Sequence, residues 1–167
     1  MFKVEAVVVG AGVIGLAIAR AVALRGVKVV VLEKERVIGS GTSSRNSEVV
    51  HSGIYYEPGS LKARFCVRGR RALYRYCEER GIAYRQCGKL VVATSPEEDS
   101  YLDQLLQRAK SNEVEGIERI GAARLTSLEP QLHGSSALLS LCAGIVDAAG
   151  SNPLPLFRHA SETRTPP

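Results

Sequence analysis

The chain has 167 residues, enough for one domain or one domain and a fragment, and its composition of 45% hydrophobic and 23% charged residues excludes a disordered or collagen-like protein. The net charge of +5 suits binding of a small anion and does not indicate a nucleic-acid partner. No apolar stretch approaches the roughly 18 residues of a membrane span. The spacing of the four cysteines predicts neither a zinc site nor a disulfide scaffold.

The N-terminal part of the chain has the pattern of a strand, a helix and a second strand. Ala6–Val9 is a continuous apolar run, as expected for a strand that is buried on both faces of a parallel sheet. From Gly12 to Gly26 the apolar residues recur at helical spacing, and Val27–Leu32 forms a second apolar run. These elements predict a βαβ unit, and hence an α/β fold with a Rossmann-like parallel sheet.

A polar loop over Gly39–Ser47 follows, and then a helix predicted over Ser60–Arg80. A second helix is expected to begin at Ser95, because Pro96 suits the first helical position and Glu98 completes a capping box. The apolar faces predicted for the two helices are Leu61, Phe65, Ala72, Leu73, Tyr76 and Cys77 in the first, and Tyr101, Leu102, Leu105, Leu106 and Ala109 in the second. The remaining predicted elements are strands at Leu90–Thr94 and Ala137–Leu141 and a short helix near Ala122–Leu128.

The turn between the first strand and the first helix matches the dinucleotide-binding pattern G-x-G-x-x-G. Gly10 permits a tight turn, Gly12 lets the backbone approach a pyrophosphate, and Gly15 lets the helix pack closely on the strand. Glu33, which lies 18 residues after Gly15 at the end of the second strand, can accept hydrogen bonds from a ribose 2′-hydroxyl. The pattern predicts a site for an adenine dinucleotide and disfavours NADP.

The choice between NAD and FAD depends on the segment after the second strand. An NAD domain normally continues with further βα units, whereas this chain continues with the polar loop at Gly39–Ser47. Hydroxyl and amide groups in such a loop could bind the second half of an extended flavin cofactor. The pattern favours FAD and leaves NAD open.

Several segments together carry a more specific resemblance. They are Asn46-Ser47, His51–Tyr56, Pro58–Ala63, Cys87–Thr94 and Gly144–Asp147. In order and spacing they resemble the L-2-hydroxyglutarate dehydrogenase/oxidase family, whose members are FAD-dependent oxidoreductases with a D-amino-acid-oxidase-like fold. The segment Ser44–Glu48 departs from the Gly-His-Asn-Ser-Gly form of some members, because Glu48 stands in place of the last glycine.

The resemblance implies an FAD-dependent enzyme that oxidises a 2-hydroxy acid, L-2-hydroxyglutarate above all, to the 2-oxo acid by hydride transfer to the flavin. It implies an FAD-binding domain over residues 1–147 that includes the incomplete beginning of an α+β substrate domain. Residues 148–167 are expected to be a disordered or unrelated tail, so this chain alone is not expected to catalyse the reaction. The alternatives are a flavin oxidase for an amino acid or another small acid, and a non-catalytic, truncated dinucleotide-binding fragment.

The candidate functional residues fall into three groups. His51 is the candidate catalytic base, because an imidazole titrates near neutral pH, although it could instead brace the loop or contact the flavin. Cations and aromatic hydroxyls would bind the substrate carboxylates, and the candidates are Tyr55, Lys62 and Lys89; the basic helix around Lys62 could equally be a solvated face. The candidate cofactor-binding residues are Gly10, Gly12, Gly15, Glu33, Lys34, Thr42, Ser43, Asn46 and Ser47.

The sequence also gives expectations for partners and location. The expected partners are the small 2-hydroxy acid and an electron acceptor of unknown kind, with no metal, nucleic acid or membrane span. The chain begins with Met1-Phe2-Lys3 and then a strand, which leaves no room for a signal or transit peptide. The expected location is the cytoplasm, or the mitochondrion if the N-terminus has been trimmed.

Overall fold

The structure is a computed structural model that describes residues 3–148. The described chain divides into two units: the first contains the residues up to Glu48 together with Asp147 and Ala148, and the second is Val49–Val146. The expectation of a disordered tail concerns residues that, apart from Ala148, lie outside the described part of the chain. In the described residues, no helix combines the length and the hydrophobicity needed to cross a bilayer.

The first unit is the predicted βαβ unit. Strand β1 (Ala6–Val9) pairs in parallel with β2 (Val29–Leu32), and helix α1 (Val13–Ala23) connects them. Leu16 of α1 is buried on a small cluster that also contains Ala11. Burial of β1 on both faces was expected, but Val9 is 83% exposed, because the described sheet of this unit has two strands and α1 covers only part of it.

The second unit contains two antiparallel sheets of three strands each, ordered β3-β8-β4 and β5-β7-β6. The core of this unit lies between α3 and the β5-β7-β6 sheet, where Leu102, Leu105 and Leu138 are fully buried. Its elements are β3 (Val49–Val50), α2 (Leu61–Arg80), β4 (Tyr84–Arg85), β5 (Lys89–Ala93), α3 (Pro96–Ser111), β6 (Ile117–Gly121), α4 (Ala122–Leu128), β7 (Ser136–Ser140) and β8 (Gly144–Val146).

Both long helices begin and end where their sequence signals indicate. The Ser60 hydroxyl accepts from the N–H of Ala63 at the start of α2, and Gly81, with φ of +64°, ends that helix. The Ser95 hydroxyl accepts from the N–H of Glu98 at the start of α3. The Glu98 carboxylate accepts from the N–H of Thr94 at 2.7 Å, so the box closes one residue earlier than predicted.

The apolar face predicted for α2 is confirmed only in part. Cys77 is fully buried as expected, whereas Leu61 and Phe65 are 63% and 60% exposed. The buried face also contains Ala63, Val67 and Arg70. An arginine on the buried face is stable here because it forms an ion pair with a carboxylate, which hydrophobic periodicity does not reveal. The predicted face of α3 is confirmed for its leucines and Ala109, although Tyr101 is exposed.

Candidate functional site

The turn between β1 and α1 has the geometry of a dinucleotide-binding loop. Gly10 adopts a φ of +98°, which disfavours any side chain, and its N–H donates to the carbonyl of Leu32 at 2.7 Å. Gly12 is the N-cap of α1 and contributes no side-chain cap, so the backbone N–H groups of the first turn, apart from that of Val13, remain available. The positive end of the helix dipole lies at the same place. The loop therefore suits a pyrophosphate.

Gly15 holds the helix against this loop. A Cβ atom added to Gly15 would lie 1.9 Å from the carbonyl oxygen of Gly10, so no other residue fits without moving the helix. Ser43 comes from the later polar loop, and its hydroxyl accepts from the N–H of Val13 at 3.0 Å. A Cβ added to Gly12 would lie 3.1 Å from that hydroxyl oxygen. Ser43 therefore lies at the N-terminus of α1, beside the proposed pyrophosphate position.

Glu33 places a carboxylate beside the glycine loop. Its Oε2 accepts from the N–H of Ala11 at 2.7 Å, and its Oε1 accepts from the N–H of Glu35 at 3.0 Å. These backbone hydrogen bonds, the one from Glu35 first, lower the pKa of the Glu33 carboxyl. The side chain is therefore a fixed anion, and each oxygen retains a lone pair for a ribose hydroxyl.

Within residues 3–148, the side chains of the other predicted cofactor residues form no hydrogen bond or ion pair with the glycine loop. Lys34 lies in a shallow groove of about 490 Å³ between residues 34 and 40, where its Nζ is 3.6 Å from the Glu35 carboxylate. Thr42 begins a 3₁₀ turn, and Asn46 caps it by donating to the carbonyl of Ser43 at 2.9 Å. Ser47 is exposed after that turn. The structure thus brings together Gly10, Gly12, Gly15, Glu33 and Ser43.

His51 lies in the second unit, on the segment that follows β3. Its side chain is exposed, and its carbonyl accepts a hydrogen bond from the Cys66 thiol, with an Sγ···O distance of 3.4 Å. Burial raises the pKa of that thiol, so Cys66 is neutral here. The neighbouring Ser52 and Ile54 are buried. The backbone that carries His51 is therefore anchored, while its imidazole is free to contact other molecules.

Two of the three candidate substrate residues are in contact. Lys89 Nζ lies 4.7 Å from the centroid of the Tyr55 ring, a cation–π distance. Tyr55 is 38% exposed, so the pair is accessible to a small molecule. Lys62, in the first turn of α2, is exposed and makes no hydrogen bond or ion pair within residues 3–148.

The basic residues of α2 are not a uniformly solvated face. Arg70 is buried and pairs through Nη2 with Glu115 Oε2 at 2.5 Å, and Arg71 pairs with the other oxygen of the same carboxylate. These hydrogen bonds, the one from Arg70 first, lower the pKa of Glu115. Arg64 and Arg68 line, with Arg71, a groove of about 340 Å³ between α2 and the end of α3. Arg70 and Arg71 are thus committed to a structural ion pair.

Comparison with known proteins decides the class of this site. The chain matches the family DAO, FAD dependent oxidoreductase, over residues 5–152. The chain belongs to this family of FAD-dependent oxidoreductases. Its cofactor is FAD, and the glycine loop, the open N-terminus of α1 and the Glu33 carboxylate fit that cofactor. Among the described residues, no group of three or more His, Cys, Asp or Glu side chains is arranged to hold a metal ion.

Several curated relatives of this chain share the name L-2-hydroxyglutarate dehydrogenase. The chain is 50% identical over 145 residues to the mitochondrial L-2-hydroxyglutarate dehydrogenase of Arabidopsis thaliana. The aligned residues are 87% of this chain and 30% of the relative. The chain is 44% identical over 145 residues to the human protein of the same name, covering 86% of this chain and 31% of the relative. The chain therefore spans about a third of the length of these relatives.

Solved structures agree on the fold. The L-alpha-glycerophosphate oxidase of Mycoplasma pneumoniae, solved with FAD bound, has a TM-score of 0.85 at 26% identity, covering 96% of this chain and 42% of that chain. The glycine oxidase of Geobacillus kaustophilus has a TM-score of 0.76 at 23% identity, covering 93% of this chain and 42% of that one. The predicted fold class, a Rossmann-like α/β domain of a D-amino-acid-oxidase-like oxidoreductase, is confirmed.

Proposed function

We propose that this chain is the FAD-binding part of an enzyme that oxidises a 2-hydroxy acid, L-2-hydroxyglutarate above all, to the 2-oxo acid. The observation that carries the proposal is the 50% identity, over 145 residues, to a curated L-2-hydroxyglutarate dehydrogenase. Solved structures of similar fold include oxidases of other small molecules, so the fold supports only the oxidoreductase class.

The first unit would bind the adenosine diphosphate half of the cofactor. The N–H groups at the start of α1 other than that of Val13 would donate to the pyrophosphate, and glycine at position 12 would let the phosphate oxygens approach the backbone. Glu33 would accept hydrogen bonds from the ribose hydroxyls. FAD held by these residues would supply the redox chemistry as a two-electron acceptor.

The second unit would supply the groups that act on the substrate. His51 would accept the proton of the substrate hydroxyl, and its anchored backbone with an exposed imidazole suits this role. Lys89 would pair with a substrate carboxylate, and the Tyr55 hydroxyl would donate a hydrogen bond to it. Lys62, the remaining candidate, would add a further cation for the second carboxylate of a dicarboxylic acid.

The proposal includes the organisation and location of the protein. Residues 1–147 would form the FAD-binding domain with the interleaved beginning of a substrate domain, and the division at Glu48 supports two such parts. The curated relatives carry the word mitochondrial in their names, which supports the mitochondrial location over the cytoplasmic one. Imaging of the tagged protein beside a mitochondrial marker tests this, and a diffuse cytoplasmic signal would contradict it.

The experiment that tests the function is anaerobic reduction of the complete FAD-loaded enzyme of which we propose this chain to be a part, since the 167-residue chain alone is not expected to catalyse the reaction. We expect L-2-hydroxyglutarate to bleach the flavin absorbance and to yield the 2-oxo acid, and the D-enantiomer, glycine and glycerol phosphate to leave the flavin oxidised. Bleaching by glycine or another amino acid instead would favour the alternative of an amino-acid oxidase. FAD binding without reduction by any of these acids would favour the alternative of a non-catalytic dinucleotide-binding fragment.

The role of His51 is tested separately in the same complete FAD-loaded enzyme. If His51 is the base, His51→Gln should slow reduction of the flavin by about 10²–10⁴-fold while FAD stays bound. Phe65→Leu is a control, since Phe65 is an exposed residue that receives no role in the reaction. An unchanged rate would make His51 structural, and loss of FAD would make it a cofactor contact.

A further inference from the structure

Two side chains at the C-terminal end of α3 form hydrogen bonds with the turn Gly53–Tyr56, which follows His51. Asn112 Nδ2 donates to the carbonyl of Gly53 at 3.2 Å and to that of Tyr56 at 2.8 Å. One turn earlier on the same helix, Arg108 Nη1 donates to the carbonyl of Tyr55 at 3.2 Å. Three of the four carbonyls between Gly53 and Tyr56 are therefore bound by two side chains of one helix.

Burial makes this arrangement rigid. Asn112 is only 9% exposed, and its Oδ1 has no hydrogen-bond partner in the described chain. The two hydrogen bonds that Nδ2 donates are therefore the ones that fix this side chain. Gly53 adopts a φ of +104°, and a Cβ atom there would lie 3.1 Å from Val67 Cγ2. Ile54 is completely buried. The turn has little freedom to relax if the donors are removed, except by moving as a whole.

This turn carries Tyr55, whose ring lies 4.7 Å from Lys89 Nζ. Neither Asn112 nor Arg108 belongs to the candidate substrate residues, and both lie more than 50 positions from the turn in sequence. A displacement of the turn by about 1 Å would change the position of the Tyr55 ring relative to Lys89, and misplacements of that size can cost catalysis up to about 10²-fold.

We propose that Asn112 and Arg108 are positioning residues: they keep the Tyr55 ring in contact with the Lys89 ammonium group, so that the two side chains together bind the substrate carboxylate. This proposal rests on the proposed function for its catalytic part. Its structural part is independent, because the contact between Tyr55 and Lys89 can be measured without substrate or flavin.

The first experiment measures that contact in the 167-residue chain by NMR. In the unmodified chain the Tyr55 ring should shift the methylene protons next to Lys89 Nζ upfield. Asn112→Asp keeps the shape of the side chain but replaces the donor with a carboxylate, which the two carbonyl oxygens repel. We expect Asn112→Asp to abolish the upfield shift. A shift that persists in this variant would overturn the proposal.

The matched control is Gln107→Glu, the same change of amide to carboxylate on the same helix. Gln107 is exposed, and its side chain makes no hydrogen bond within residues 3–148, so the Lys89 shift should be retained. If Asn112→Asp fails to fold, Arg108→Gln carries the test. It removes the Arg108 donor from a half-buried position and should reduce the Lys89 shift without abolishing it.

The second experiment measures steady-state kinetics of the complete FAD-loaded enzyme of the proposed function, with L-2-hydroxyglutarate as substrate. Substitution of a residue that only stabilises the fold would lower the apparent kcat and the FAD content together and leave KM unchanged. We expect Asn112→Asp to raise KM by roughly tenfold or more with FAD affinity unchanged, and Gln107→Glu to change neither. If the upfield shift of the Lys89 methylene protons is lost while KM is unchanged, the part of the proposal that concerns substrate binding is overturned. If the unmodified protein oxidises no 2-hydroxy acid, the proposed function fails, and the NMR result alone decides whether these residues position Tyr55.

Discussion

The two helical glycines Gly15 and Gly69 should respond in opposite directions to substitution by alanine. In Gly15→Ala the new Cβ would lie 1.9 Å from the carbonyl oxygen of Gly10, about 1.5 Å closer than an ordinary contact. Such overpacking typically costs about 1–3 kcal/mol, and it outweighs the gain of up to about 1 kcal/mol in helix propensity. Gly69 lies on α2 with nothing within 4 Å of an added Cβ, so Gly69→Ala should stabilise the chain by about 0.5–1 kcal/mol.

Urea unfolding followed by circular dichroism measures both effects, and FAD titration follows the consequence for the cofactor. Gly15→Ala should lower the urea midpoint of the first unit and weaken FAD binding, because α1 must move away from the loop. Gly69→Ala should raise the midpoint of the second unit and leave FAD binding unchanged. A Gly15→Ala chain that is as stable as the unmodified one, with unchanged FAD affinity, would refute the close packing of α1 on the glycine loop.

Three further predictions concern glutamates. Glu33→Ala should weaken FAD binding by roughly tenfold or more, as measured by flavin fluorescence. The pKa of the Glu33 carboxyl is lowered, so FAD binding by the unmodified chain should persist as the pH falls through the ordinary glutamate range and weaken only below it. Glu115→Gln should destabilise the chain by about 1–3 kcal/mol in urea unfolding, because buried Arg70 loses its charged partner; an unchanged midpoint would contradict the ion pair. Glu48 adopts a φ of +58°, so Glu48→Gly should relieve roughly 1 kcal/mol of strain, and a lower midpoint would be evidence against that strain.

The sequence predicts the parts of the fold that depend on local signals. The βαβ unit follows from an apolar run, a glycine turn and a helical period, and Ser60 and Ser95 cap the helices that they were expected to begin. Gly10 and Glu33 were predicted from spacing alone, and the structure places them at one loop. These features are recognisable because each depends on residues close together in the chain.

Features that depend on distant partners could not be predicted in this way. Arg70 was missed on the buried face of α2 because the carboxylate that neutralises it, Glu115, lies 45 positions away. Asn112 was missed because its two acceptors lie 56 and 59 positions earlier. Strands β3, β4 and β8 have only two or three residues, which is too short for a period to be visible, and charged residues interrupt β6.

The most direct test of the account is titration of the purified chain with FAD, followed by flavin fluorescence and absorbance, beside the Gly12→Val variant. The account predicts saturable binding of FAD, a weaker response to NAD, and no binding of FAD by Gly12→Val. The valine side chain would collide with the Ser43 hydroxyl and keep the pyrophosphate from approaching the backbone. Equal binding of FAD by the two chains, or no binding by the unmodified chain, would contradict the assignment of the Gly10–Gly15 loop as the flavin dinucleotide site.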